Sequence, residues 1–161
     1  MKIVAGQMYK HILVPLDGSE LAECVLPHLS AVAGGCKIGK VTLVRVVEPF
    51  RLLRGYESRI EPEEQKRLDD DAKKAARDYL EQVAKRLKLD GMEIQAEVLY
   101  DKTADALIDY AHKNDVDLVV ISTHGRSGVS RWVWGSVADR ILRHICAPVF
   151  MVRAPGCFPS V

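Results

Sequence analysis

The segment 117–137 constrains the fold more than any other part of this sequence. It opens with four apolar residues in a row, Leu118 to Ile121, and such a run is typical of a strand that is buried on both faces. The sequence then changes abruptly to small, polar and glycine residues, and a helical pattern begins at Val137. A strand, a glycine loop and the start of a helix are therefore predicted here in that order.

This arrangement favours the binding of an anion. Backbone N–H groups in the first turn of a helix have no partner within the helix, and the helix dipole places about half a positive charge there. Phosphate is the anion most often held in such a position. The loop is therefore the candidate binding site, although three glycines at these spacings are also compatible with turn chemistry alone.

The rest of the chain alternates between strand and helix patterns. Besides 118–121, strands are predicted at 11–16, 40–47, 92–99 and 149–152, and the segment 92–99 has the alternation of a half-buried or edge strand. Helices are predicted at 20–33, from 61 to about 87, at 103–113 and from 137 onwards. Ser19 is a candidate N-cap, Thr103 is another, and Pro27 should bend the first helix.

The long helix from 61 has an apolar face that should pack on the core. Its opposite face is charged and should lie in solvent. The expected inward residues are Leu68, Ala72, Ala75, Tyr79, Leu80, Val83 and Leu87.

Five strands alternating with four helices, with no hairpin turn between consecutive strands, predict a single-domain α/β fold. Its sheet should be five-stranded and parallel, with helices on both faces, as in Rossmann-like proteins. Ligands of such sheets bind beyond the carboxyl ends of the strands, where the strand order reverses. The loops at Asp17, at Val46 and from Ser122 to Gly128 all follow strands, so they should converge on one crevice.

Length and composition narrow the class of protein. The 161 residues suit one domain over 1–161, with an N-terminal extension at 1–8 and a C-terminal tail at 154–161. The formal net charge is +1 with interspersed charges, which argues against nucleic acid or a membrane as a partner. The four cysteines form no CxxC pair, and no run of about 20 apolar residues is present, so a cytoplasmic protein is expected.

Three segments resemble the universal stress protein family, and together they extend the resemblance over essentially the whole chain. They are HILVPLDGSE, VTLVRVVEP and STHGRSGVSRWVWGSVADRILRHICAPVFMVR. In nucleotide-binding members the last segment has the form Gly, two residues, Gly, nine residues, Gly, then Ser or Thr. Here Gly125, Gly135 and Ser136 match that form, and Ser122 stands in place of the first glycine.

The resemblance implies an adenine-nucleotide site of the adenine nucleotide alpha-hydrolase-like fold. The ligand would be ATP, or AMP or ADP, with Mg²⁺ accompanying the nucleotide and Asp17 and Ser136 as candidate metal contacts. Asp17 would accept from a ribose hydroxyl, and the backbone of Val46 would meet the adenine edge. The residues implied at the site are Pro15, Leu16, Asp17, Val46, Ser122, Thr123, His124, Gly125, Arg126, Ser127, Gly128, Gly135, Ser136 and Val137.

Several of these residues also have a simpler interpretation. Asp17 is equally suited to the turn that begins the first helix, His124 to a bond with its own backbone, and Arg126 to solvent. Trp132 and Trp134 are compatible with a lid, a subunit contact or the core.

The resemblance favours a dimeric module that senses or stores ATP, with slow hydrolysis at most and no catalytic residue assigned. The subunits would meet through the last strand, Val149 to Val152. Two alternatives stay open: a nucleotide-free adapter dimer of the same fold, and an adenine-nucleotide hydrolase in which His124 or Asp17 is the base.

Overall fold

The computed structural model of the chain describes residues 9–35, 38–49, 61–87, 89, 91–123 and 135–153. Within those ranges, neighbouring strands pair in parallel to form one sheet, whose order is β3-β2-β1-β4-β5. The strands are β1 (His11–Pro15), β2 (Lys40–Val47), β3 (Glu93–Tyr100), β4 (Leu118–Ser122) and β5 (Val149–Val152). The predicted parallel α/β fold is confirmed, and β3 and β5 are the edge strands.

Helices cover both faces of the sheet. They are α1 (Glu20–Glu23), α2 (Leu26–Gly35), α3 (Pro62–Arg86), α4 (Thr103–Lys113) and α5 (Ser136–His144). One buried cluster joins the first three helices to the sheet, and a second joins α4 and α5 to the opposite face. β1 lies at the centre, and its residues Ile12, Leu13 and Val14 are fully buried because both layers cover them.

The first predicted helix is two helices in the structure. α1 ends at Glu23, with Cys24 as its C-cap, and α2 begins at Leu26 with Pro27 in its first turn. Proline has no N–H to bond the carbonyl of Glu23, but a first-turn position needs no such bond, so the chain breaks before Pro27 and does not bend through it. Ser19 is the N-cap of α1, as predicted, and its hydroxyl accepts from the N–H of Ala22 at 3.1 Å.

The predicted cap of α4 is also wrong in detail. Lys102 occupies the N-cap position and makes no side-chain cap bond, while Thr103 is the first helical residue. The Glu48 carboxylate, which follows β2, accepts from both the N–H and the hydroxyl of Thr103, at 2.9 and 2.6 Å. A residue distant in sequence thus supplies the acceptor that the helix start requires.

The inward face of α3 is rotated relative to the prediction along its first half. Leu80 and Val83 are buried as expected, but Leu68, Ala72 and Ala75 are exposed and Asp69 is buried. The apolar residues of the first half face a cavity beyond the end of the sheet, because α3 extends past the strands that its second half covers.

The two leucines of α3 should therefore respond differently to truncation. Leu80→Ala should lower the free energy of unfolding by about 2–5 kcal/mol, because the side chain is fully buried. Leu68→Ala should change it by no more than about 0.5 kcal/mol, because 38% of the residue is exposed. Urea denaturation measures both, and equal losses would contradict the orientation of α3.

Candidate functional site

A crevice opens at the carboxyl ends of β1 and β4, where the strand order reverses. The chain runs from β1 outward through β2 to β3 and then returns to the other side of β1 with β4. The connections that leave β1 and β4 therefore diverge, and this is the position at which parallel α/β sheets bind ligands.

A cavity of about 850 Å³ lies at this point. Nine of the predicted site residues line it together: Pro15, Leu16, Asp17, Val46, Ser122, Thr123, Gly135, Ser136 and Val137. The other predicted contacts, His124, Gly125, Arg126, Ser127 and Gly128, lie outside the described residues, as do Trp132 and Trp134. The strand ends thus converge on one cavity, as their positions in the sequence predicted.

Asp17 takes part in the turn that follows β1. Its Oδ1 atom accepts from the N–H and the hydroxyl of Ser19, at 2.9 and 2.6 Å. This Asx turn fixes the direction in which α1 leaves the sheet. Asp17 is therefore a residue of the turn that begins the first helix, as its simpler interpretation held. The same residue also lines the cavity.

Ser122 belongs to the strand and not to the loop. It is the last residue of β4, pairs with Val152 and is 7% exposed. Its replacement of a glycine in the family pattern therefore falls on a strand end, where a side chain is normal.

Hydrogen bonds hold Thr123 and Gly135, the described residues on either side of the segment 124–134. The N–H of Thr123 donates to the Val152 carbonyl at 2.8 Å, and the N–H of Gly135 donates to the Thr123 carbonyl at 3.1 Å. A Cβ on residue 135 would lie 3.2 Å from that same carbonyl oxygen. The close approach at Gly135 is thus made to the chain itself.

The N-terminus of α5 opens onto the cavity. Gly135 is the N-cap, no side chain caps the helix, and residues 135–138 all line the cavity. The first N–H groups of a helix have no acceptor within it, and they carry the positive end of the dipole. This end of the cavity is suited to phosphate.

The structure adds three charged residues to the cavity that the sequence analysis did not select: Arg45, Glu48 and Asp69. Arg45 lies on β2 and Asp69 on α3, two elements whose apolar residues alone carry the periodic pattern, and Glu48 directly follows β2. The available signals were a charged residue within a strand, a charged residue on the inward side of a long helix and a carboxylate at a strand end.

Arg45 lies beside a half-buried tyrosine of α3. Its guanidinium carbon is 5.3 Å from the centre of the Tyr79 ring, and the Tyr79 hydroxyl donates to Glu23 at 3.0 Å. Burial raises the pKa of Tyr79 well above its ordinary value, and the bond to Glu23 and the negative charges of Glu23 and Asp17 add to the effect. Tyr79 therefore stays protonated and serves as a donor that joins α3 to α1.

Asp69 lies in the wall that α3 contributes. It is 9% exposed and accepts a hydrogen bond from the hydroxyl of Tyr100 at the end of β3. The ammonium of Lys73 lies 3.8 Å from the centre of the Tyr100 ring, a cation–π contact on the same side chain. The carboxylate is thus fixed at the β3 side of the cavity.

Fold and cavity together define a parallel α/β protein with a cavity at the strand carboxyl ends and a helix N-terminus on one side of it. Comparison of the sequence with family models identifies the family, because residues 8–153 match the universal stress protein family. The chain belongs to that family.

Known relatives agree with this assignment. A universal stress protein of Methanocaldococcus jannaschii, MJ0531, is 29% identical over 150 residues, which are 92% of this chain and 84% of the relative. The solved structure of MJ0577 from the same organism superposes with a TM-score of 0.78 at 23% identity, covering 92% of this chain and 99% of that one.

Two other solved structures of this fold were determined with adenine nucleotides. One is a universal stress protein in complex with cAMP, which superposes with a TM-score of 0.64 at 18% identity. The match covers 92% of this chain and 99% of that one. The other is an Arabidopsis thaliana universal stress protein family protein with AMP bound, which superposes with a TM-score of 0.63 at 14% identity. The match covers 91% of this chain and 93% of that one. At these identities the likeness shows a shared fold.

Among the described helices, none combines the length and the apolar character that crossing a bilayer would require.

Proposed function

We propose that this protein binds an adenine nucleotide, ATP or else AMP or ADP, in the cavity at the strand carboxyl ends and acts as a cytoplasmic, dimeric sensor or regulatory module. The observation that carries the proposal is the placement of a helix N-terminus and the exposed end of β2 on opposite sides of one cavity of about 850 Å³. The first is suited to phosphate and the second to a base. The nucleotide complexes of proteins with the same fold support this choice.

The end of β2 can present its backbone to a purine edge. β1 pairs with β2 only as far as Pro15 and Val44, and the Val44 carbonyl accepts from the N–H of Leu16. Because the N–H and C=O directions alternate along a strand, those of Val46 point to the same side as those of Val44, beyond the last residue of β1. A donor and an acceptor close together match the edge of adenine.

In this proposal the parts of the nucleotide follow the strand order. Phosphates lie at α5, next to β4, with Gly135, Ser136 and Val137 around them. The ribose lies near Asp17 at the end of β1, and the base lies near Val46 at the end of β2. Mg²⁺ usually binds protein through one or two carboxylates together with substrate phosphates, and Asp17 and the Ser136 hydroxyl line the same cavity.

ATP with Mg²⁺ should raise the melting temperature, and GTP should raise it less. Ligand at about 100 times its Kd adds about 2.7 kcal/mol to stability by linkage. Ala72→Phe should abolish the shift, because residue 72 is exposed and lines the cavity, where a benzyl group would take the place of the base.

Asp71→Phe is the matched control, since residue 71 is exposed on the same helix but does not line the cavity. No shift at millimolar ATP in the unchanged protein would contradict nucleotide binding. Loss of the shift in both variants would show that α3 does not form the wall of the site.

A dimer through β5 follows from the chemistry of the two sheet edges. The β3 edge carries Glu93 and Glu97, whereas β5 reads VFMV and leaves Phe150 39% exposed. Charges on an edge strand oppose pairing, and an apolar edge favours it. β5 is therefore the edge that a second copy would meet, about a twofold axis.

Phe150→Lys should shift the protein from dimer towards monomer, because it places a charge in that interface. Light scattering at micromolar concentration measures the change against the monomer mass of 17.9 kDa. Leu68→Lys is the control, since it makes the same change at a similarly exposed residue away from β5. A monomer before any substitution would contradict the proposed dimer.

Turnover of ATP should be slower than about 1 s⁻¹, the low end of typical enzymes. Fast phosphoryl transfer needs a group that orients the attacking nucleophile. Among the described residues around the cavity, Asp17 accepts from Ser19, Glu48 accepts from Thr103, and none is a histidine. Release of several phosphates per second that collapses in His124→Ala or Asp17→Ala, with ATP still bound, would favour an enzyme.

A further inference from the structure

Glu48 directly follows β2 and lines the cavity, and its two carboxylate oxygens have different surroundings. Oε1 accepts from both the N–H and the hydroxyl of Thr103, the first residue of α4. Oε2 accepts no hydrogen bond within the part of the chain that the structure describes. One oxygen thus holds the side chain in place, while the other keeps its capacity to accept.

The backbone of β2 places Glu48 at the base end of the site. The side chains of Val44 and Val46 pack on the α4 and α5 side of the sheet, and the bond to Thr103 directs Glu48 to the same side. Two residues of extended chain span about 6.6 Å, so Glu48 follows Val46 within the length of a purine edge. The helix N-terminus that suits phosphate lies elsewhere, at Gly135 beside the end of β4.

The amino group of adenine has one more hydrogen than the backbone of Val46 can use. In the proposed function the purine edge meets one N–H and one C=O of that residue, and the C=O takes one hydrogen of the 6-amino group. A carboxylate only accepts hydrogen bonds, so Oε2 of Glu48 is suited to the second hydrogen. Guanine and hypoxanthine instead have a carbonyl oxygen at position 6, which a carboxylate repels.

We propose that Oε2 of Glu48 accepts a hydrogen bond from the 6-amino group of the bound purine, and that this contact favours 6-amino over 6-oxo purines. The inference rests on the proposed function, in which a purine nucleotide fills this cavity. Both polar groups of Thr103 restrain the carboxylate before the ligand enters, so little ordering of this side chain accompanies binding. Glu48 therefore reads the base while it also completes the start of α4.

Glu48→Gln is the sharpest variant, because it changes one oxygen of the side chain and keeps the other. The backbone N–H of Thr103 can only donate, so it retains the amide oxygen, and the NH2 group takes the position of Oε2. A donor thereby replaces an acceptor with almost no change of shape. The oxygen of a 6-oxo purine then gains a partner, and the amino group of adenine loses one.

ATP and ITP measure the effect, because ITP keeps the ribose and phosphates and replaces the 6-amino group by an oxygen. Calorimetry on the unchanged protein should give a Kd for ATP at least about tenfold lower than that for ITP. In Glu48→Gln the preference for ATP should fall by about tenfold. Glu81→Gln, the same change at an exposed residue of α3 that does not line the cavity, should keep the original preference.

The outcomes separate this inference from the function on which it rests. No ATP binding to the unchanged protein would contradict nucleotide binding and the role of Glu48 together. ATP binding with equal affinity for ITP, or an unchanged preference in Glu48→Gln, would overturn the role of Glu48 and leave nucleotide binding intact. An equal fall in Glu81→Gln would overturn it as well, because the effect would not depend on the cavity.

A measurement on the unchanged protein avoids any folding defect of the variant. N6-methyl-ATP has a single hydrogen on its amino group, so it cannot donate to both Val46 and Glu48. It should bind about tenfold more weakly than ATP. Equal affinity of the two triphosphates would overturn the inference without recourse to a substitution.

Discussion

The structure depends on the complete burial of β1 between two helical layers. Ile12, Leu13 and Val14 are fully buried, with apolar clusters above and below the sheet. A strand covered on both faces and paired on both edges must lie in the middle of a parallel sheet. The later strands can then add only on one side of β1 or the other, and the change of side after β3 opens the crevice.

Helix α3 links the core to the cavity because it is longer than the sheet it covers. Its second half buries Leu80 and Val83 on the strands, and its first half extends beyond them as a wall. The same helix therefore carries core residues and cavity residues on faces that its periodicity alone does not distinguish. Bonds from Tyr79 to Glu23 and from Tyr100 to Asp69 fix the position of that wall.

Several groups at the cavity are positioned by elements distant in sequence. Glu48 completes the start of α4, and the Thr123 carbonyl accepts from the N–H of Gly135. Such bonds satisfy buried backbone groups at strand and helix ends, which would otherwise be costly. They also fix the cavity before any ligand enters, so binding need not order these backbone segments.

The sequence by itself determined the parallel α/β fold and the bounds of β2 and β5. It also determined that Asp17, Val46 and Gly135 line one cavity, because apolar runs and glycine breaks are local signals. Only the tertiary structure decided that α3 turns Leu68 towards the cavity and Asp69 out of solvent, and that Glu48 caps α4. The physical reason is that periodicity records which residues share a helix face. Which surface that face meets depends on where the sheet ends, and that is set by pairing between strands far apart in the chain.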